Sequence, residues 1–229
     1  MIGVYMKQID KNQHLLELLN KPEFLIYYEY LIEQNKLINL TAITEKEDVY
    51  LKHFYDSLVI STQLDFNHKR VLDIGAGAGF PSIPINLINE DMNLTIVDGL
   101  NKRIKFLENL TQKLNIKVSL IHGRAENLDL SNHFDIILAR AVAKLNILLE
   151  MALPLLKING YFVAYKSIHY QEELDDAKKA IQVLGGKIEE IIEYTLTDEL
   201  IHVYILIRKV KDTPHIYPRH YSKIKKSPL

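Results

Sequence analysis

The chain has no cysteine, which excludes disulfides, cysteine-based metal centres and a thiol nucleophile together. No apolar run approaches the ~18 residues of a membrane-spanning helix, and no basic segment followed by an apolar core opens the sequence, so neither a membrane span nor an export signal is expected. A cytoplasmic location is the matching expectation. The nine histidines are scattered without metal-ligand spacing, so no metal is expected. Arginine is absent from residues 1–66, which carry six lysines and ten acidic residues. From Arg208 onward the balance reverses, with seven Lys or Arg against Asp212 alone. The net charge of −1 conceals this asymmetry. A basic end on a near-neutral chain points to a polyanionic partner, the plainer alternative being a solvated terminus.

What is present is ordinary in bulk: 229 residues, 48% apolar and 25% charged, enough for one sizeable domain with an appendage. Residues 8–20 carry leucines at helical spacing, and Pro22 opens a second helix to about Lys36, with Phe24, Tyr27, Tyr28, Leu31 and Ile32 inward. Thr44-Glu45-Lys46-Glu47 has the form of a capping box for a helix to about Thr62. His53, Asp56 and Ser57 share one face of that helix. Sequence neighbours on a helix do not meet as a hydrolytic triad requires, so they read as a polar face. From residue 70 the pattern alternates strand and helix: strands at Val71–Ile74, Leu94–Asp98, Val118–Ile121, Phe134–Leu138 and Tyr161–Tyr165. Two further runs, about Lys187–Thr195 and Ile201–Arg208, share a short polar link and are expected to pair as an antiparallel hairpin. The division expected is a helical extension over 1–66, an α/β domain over 67–211 and a basic tail over 212–229.

The alternation is organised around Asp73-Ile74-Gly75-Ala76-Gly77-Ala78-Gly79-Phe80-Pro81. A buried strand runs into three alternate glycines and then a helix, the arrangement that lets a ligand lie against bare backbone. The spacing differs from the dinucleotide fingerprint, whose third glycine stands three places after the second and here would be Phe80. D-x-G-x-G-x-G instead resembles motif I of S-adenosylmethionine-dependent methyltransferases. Asp73 can brace the turn and reach a cationic ligand. Asp98 ends the second strand, where a carboxylate accepts from a ribose diol. That role serves NAD equally well, so a nicotinamide-dependent oxidoreductase and a silent RNA-binding module stay open on these residues alone. Glu126 reads either as a reader of the adenine edge or as a helix-start acid. Arg140 emerges at the strand edge where donor and acceptor would meet.

Several stretches together resemble one family. Val71 to Pro84, Asp98 with Lys102-Arg103, Gly123-Arg124-Ala125-Glu126, Arg140-Ala141-Val142, Lys166 and the ending from Tyr217-Pro218-Arg219 are similar to the RsmG (GidB) family, as are Asn39-Leu40-Thr41 and Asp56-Ser57-Leu58. The resemblance implies the class I S-adenosylmethionine-dependent methyltransferase fold: α/β, Rossmann-like, a mostly parallel sheet with a terminal antiparallel hairpin and an N-terminal helical extension. It implies methylation of guanine N7 in 16S ribosomal RNA or the small ribosomal subunit. A monomer is expected, and a methyltransferase acting on another RNA or a protein is the alternative. Carried over, Gly75, Phe80, Ala125, Glu126 and Arg140 would contact the cofactor, joining Asp73, Gly77, Gly79 and Asp98. Arg140 or Lys166 would hold the guanine or a phosphate, and Phe80 or Tyr165 would stack on cofactor or base. Arg219, Lys223, Lys225 and Lys226 would meet RNA. Ser82, Ser167, Tyr221-Ser222 and Ile224 depart from the family's usual residues.

Overall fold

The computed structural model describes residues 6–9, 11–197 and 200–229. A four-residue strand, β1 (Met6–Ile9), precedes helices α1 (Gln13–Leu18) and α2 (Pro22–Ile38). A helical run follows, made of α3 (Lys46–Val49), a π-helical turn (Tyr50–Tyr55), α4 (Asp56–Leu58) and a 3-10 turn (Val59–Thr62). Then come β2 (Arg70–Ile74), α5 (Ser82–Ile88), β3 (Asn93–Asp98), α6 (Asn101–Lys113), β4 (Val118–His122), β5 (Phe134–Arg140) and α7 (Leu145–Ala152). The chain continues through β6 (Leu156–Ser167), α8 (Gln171–Leu184), β7 (Gly186–Thr197), β8 (Leu200–Lys209) and α9 (Tyr221–Lys226).

Two compact units result, one of residues 11–123 and one of residues 1–10 with 124–229. This border follows packing, whereas the expected three-part division follows composition and charge. In the first unit β2, β3 and β4 lie side by side in parallel, with Asp73 level with Ile96 and Asp98 level with His122. Val71, Leu72, Ile96 and Val97 are buried, the mark of parallel strands covered on both faces. Each such side chain contributes about 1.5–3 kcal/mol through burial. In the second unit β5 pairs with β6 in parallel, β8 runs antiparallel to both β6 and β7, and β1 adds in parallel to β7. The mixed α/β fold, mostly parallel with the expected β7–β8 hairpin, is the one read from the alternation.

Two local expectations are corrected. The helix expected over residues 8–20 is confined to Gln13–Leu18, because Met6–Ile9 extends to pair its backbone with β7. Asn12 then caps the helix by accepting from the Leu15 amide at 3.2 Å. The Thr44–Glu47 capping box does not form. Glu45 is the residue before α3 and makes no side-chain cap, while the Thr44 carbonyl accepts from the Tyr28 hydroxyl at 3.2 Å.

Candidate cofactor-binding and catalytic residues

The turn from β2 into α5 is built on positive φ. Gly75, Gly77 and Gly79 take φ of 70°, 61° and 99°, values that cost a Cβ-bearing residue dearly. The Gly75 amide donates to the Val97 carbonyl at 2.7 Å, which ties the turn to β3. Asp73 is fully buried and its Oδ2 accepts from the Ser82 amide at 3.2 Å, so it braces the first turn of α5. Asp98 is 3% exposed. Its carboxylate accepts from the Gly77 amide at 3.2 Å, the Leu100 amide at 2.9 Å and Arg103 Nη1 at 3.4 Å. The two carboxylates thus hold opposite sides of the turn, Asp98 through the Gly77 amide and Asp73 through the start of α5.

Gly77 and Gly79 differ in what surrounds them. A Cβ on Gly79 would lie 2.6 Å from the Tyr27 hydroxyl and 2.8 Å from Ile83 Cγ1, whereas one on Gly77 would meet no atom within 4 Å. Gly79 is enclosed by side chains, and Gly77 borders open space.

The helical preface reaches the same turn. The Tyr27 hydroxyl donates to the Ala78 carbonyl at 2.5 Å. Phe80, 5% exposed, has Tyr27 stacked at 5.3 Å and His53 at 4.6 Å between ring centroids. His53 Nε2 meets Thr41 Oγ1 at 2.7 Å. Lys21 donates to the Leu87 carbonyl at the end of α5, and Tyr30 stacks on Phe106 of α6. His53 sits in the π-helical turn, an irregularity common at functional sites. Sequence reasoning assigned His53 to a polar face and Tyr27 to a core; only the Asn39-Leu40-Thr41 and Asp56-Ser57-Leu58 resemblances hinted that the preface mattered. Ser57 Oγ donates to the His53 carbonyl at 2.6 Å, the bond of a helical serine to its own backbone.

In the second unit β5 delivers Arg140, half-buried, to its C-terminal end, and the next residue, Ala141, has φ of 56°. Lys166, on β6, is largely covered. Its ammonium donates to the Ala143 carbonyl at 3.1 Å and to Glu173 Oε2 at 2.5 Å, while the same oxygen accepts from the Leu145 amide at 2.9 Å. The Lys166–Glu173 pair thus fixes the α7 end of the short segment that follows Arg140. Tyr165, 6% exposed, packs edge-on against Tyr204 at 4.7 Å. Ala125-Glu126-Asn127 forms a 3-10 turn. The Glu126 side chain is 2% exposed, and its Oε1 makes no hydrogen bond among the described residues.

The basic end is sorted by burial. Arg219 donates through Nε (2.7 Å) and Nη2 (2.5 Å) to Glu150, which is fully buried in α7. These bonds raise the arginine's pKa further above its ordinary value. Lys209, 1% exposed, donates to Asn132 Oδ1 at 2.6 Å and to the Leu153 and Leu156 carbonyls at 2.8 Å each. Burial pushes its pKa down to about 8. Lys223, Lys225 and Lys226 face solvent around the buried Ile224.

A family profile described as rRNA small subunit methyltransferase G matches residues 20–201. The ribosomal RNA small subunit methyltransferase G of Lactobacillus johnsonii is 45% identical over 99% of this chain and 98% of its own. The Bacillus subtilis protein of the same name is 48% identical over 90% of each. The chain belongs to the rRNA small subunit methyltransferase G family. Solved structures place this member of the methyltransferase G family on a familiar scaffold: it superposes on M. jannaschii TYW2 in complex with AdoMet with a TM-score of 0.58 at 14% identity, covering 74% of this chain and 80% of that one. A SAM dependent methyltransferase from Aquifex aeolicus gives 0.54 at 17% identity, covering 71% and 93%. These two likenesses speak for the fold. Among the described residues, this methyltransferase G family member has no helix long and apolar enough to cross a membrane and no group of three acidic or histidine side chains able to hold a metal ion.

Proposed function

We propose that the chain transfers the methyl group of S-adenosylmethionine to N7 of a guanine in small-subunit ribosomal RNA. Membership of the methyltransferase G family carries this reading. In residues 11–123, the backbone of Gly75, Gly77 and Gly79, with Asp73, Phe80 and Asp98, would hold the cofactor. The open surroundings of Gly77 fit that role, and so does a turn already held at positive φ. Phe80 contributes through its place in the turn, because its ring is packed on Tyr27 and His53. In the second unit Ala125, Glu126 and Arg140 would contact the cofactor. The buried Glu126 Oε1 accepts no hydrogen bond among the described residues, and such an atom is costly unless a ligand supplies one.

When bound, the cofactor supplies a methyl group on a sulfonium. N7 of guanine presents an in-plane lone pair, so no general base is required. The protein's task is positioning, which alone can account for about 7–11 kcal/mol of a barrier. Arg140 would hold guanine O6 or a neighbouring phosphate. Lys166, bonded to Glu173 and Ala143, would act through the Ala141–Lys144 segment. Lys223, Lys225 and Lys226 would neutralise phosphates, with Arg219 anchoring the tail through Glu150. Transfer of labelled methyl from S-adenosylmethionine to naked 16S RNA and to intact small subunits, followed by mapping of the modified base, tests the proposal. Label at a guanine N7 is expected; label elsewhere, or none on either substrate, refutes it.

A further inference from the structure

The tail does more than carry charge. Tyr217-Pro218-Arg219 leads into α9, and the segment is pinned on both sides of Tyr221: by the Arg219–Glu150 bonds two residues before it and by the fully buried Ile224 three residues after it. Held in this way, the Tyr221 ring lies under the Arg124 guanidinium at 4.1 Å from carbon to ring centroid. Arg124 immediately precedes the Ala125–Asn127 turn. Its Nη1 stands 4.0 Å from Glu126 Oε1, at ion-pair distance but outside hydrogen-bond reach, and that oxygen accepts no hydrogen bond among the described residues.

An arginine two residues from a buried carboxylate would ordinarily close on it, since a charge-assisted hydrogen bond is stronger than a cation stacked on a ring at a partly exposed site. Here the guanidinium lies over the ring instead, on a helix anchored independently through Arg219 and Ile224. We propose that Tyr221 is a positioning residue for the Glu126 turn: it captures Arg124 and thereby keeps the Glu126 carboxylate open to a donor from the ligand. The inference rests on the reading that Glu126 serves the cofactor.

Titration calorimetry of the full chain with S-adenosylhomocysteine tests it. Tyr221→Ala is expected to weaken binding about tenfold, the loss of one hydrogen bond to a charged group. Tyr221→Phe keeps the ring and is expected to bind as the unsubstituted chain does. On an Arg124→Met background, Tyr221→Ala is expected to add nothing, because the cation it restrains is gone. Unchanged binding in Tyr221→Ala, or effects of the two substitutions that simply add, overturns the inference. Glu126→Gln separates the two levels: if it leaves affinity untouched, the assignment of Glu126 to the cofactor fails. If it weakens binding while Tyr221→Ala does not, only the role of Tyr221 fails. Melting temperatures of all variants identify any loss that comes from unfolding.

Discussion

Alanine placed at Gly77 and at Gly79 should separate ligand binding from stability within a single turn. Both glycines have positive φ, 61° and 99°, so each substitution carries a backbone cost of about 1–2 kcal/mol. At Gly77 that is the whole cost, because the added methyl meets no atom within 4 Å. At Gly79 the methyl runs into the Tyr27 hydroxyl at 2.6 Å, Ile83 at 2.8 Å and Leu107 at 3.2 Å. Overpacking of this kind adds about 1–3 kcal/mol. For a chain of this size about 1 kcal/mol moves the melting temperature by about 2–4 °C. Gly77→Ala should therefore lower it by about 2–8 °C and Gly79→Ala by about 4–20 °C. S-adenosylhomocysteine affinity should follow the opposite order once the folded fraction is accounted for, with Gly77→Ala the more damaging because its methyl occupies the space assigned to the ligand. Adding Tyr27→Phe to Gly79→Ala removes the nearest clash and should recover part of the stability. Differential scanning calorimetry and titration calorimetry on the same samples measure both quantities. Equal melting temperatures for the two variants, or full affinity in Gly77→Ala, would refute the division of labour between the glycines.

Arg219→Ala should destabilise the protein by about 3–5 kcal/mol, since it strands the buried Glu150 carboxylate, and pairing it with Glu150→Leu should restore most of the loss in a denaturant titration. Lys209 has a folded-state pKa of about 8 against an ordinary 10.5. Between those values the unfolded chain binds more protons, so stability should rise with pH across that window, by up to about 3 kcal/mol, and Lys209→Met should flatten the rise. Replacing Lys223, Lys225 and Lys226 together by alanine should reduce the slope of log affinity for single-stranded RNA against log salt by about 2, while leaving S-adenosylhomocysteine binding unchanged. Arg140→Ala should depress turnover and leave the rate nearly flat across neutral pH; a rate tracking one ionisation there would contradict a positioning role.

The parts legible in the sequence are those written in local periodicity. The strand–glycine–helix turn, the alternation after residue 70 and the closing hairpin all announce themselves within a dozen residues. What escaped is long-range. Glu150 reads as one polar residue on an apolar helix, and nothing nearby shows that its partner lies 69 residues later. Lys209 counts as part of a basic run until burial shows it bonded to the carbonyls after α7. Strand β1 is four residues long, too short for a period to show, and it exists because β7 offers an edge. The π-helical turn around His53 likewise leaves no trace in a pattern read at 3.6 residues per turn.

The stacking of Tyr27 and His53 on Phe80 has a bearing on how natural variants are interpreted. If the glycine turn holds the donor, changes at Tyr27 or His53 would reach it through Phe80, and whoever scored such variants by sequence distance from the glycines would dismiss them. The expected signature of such variants is a weakened grip on the donor molecule, measured against their melting temperatures.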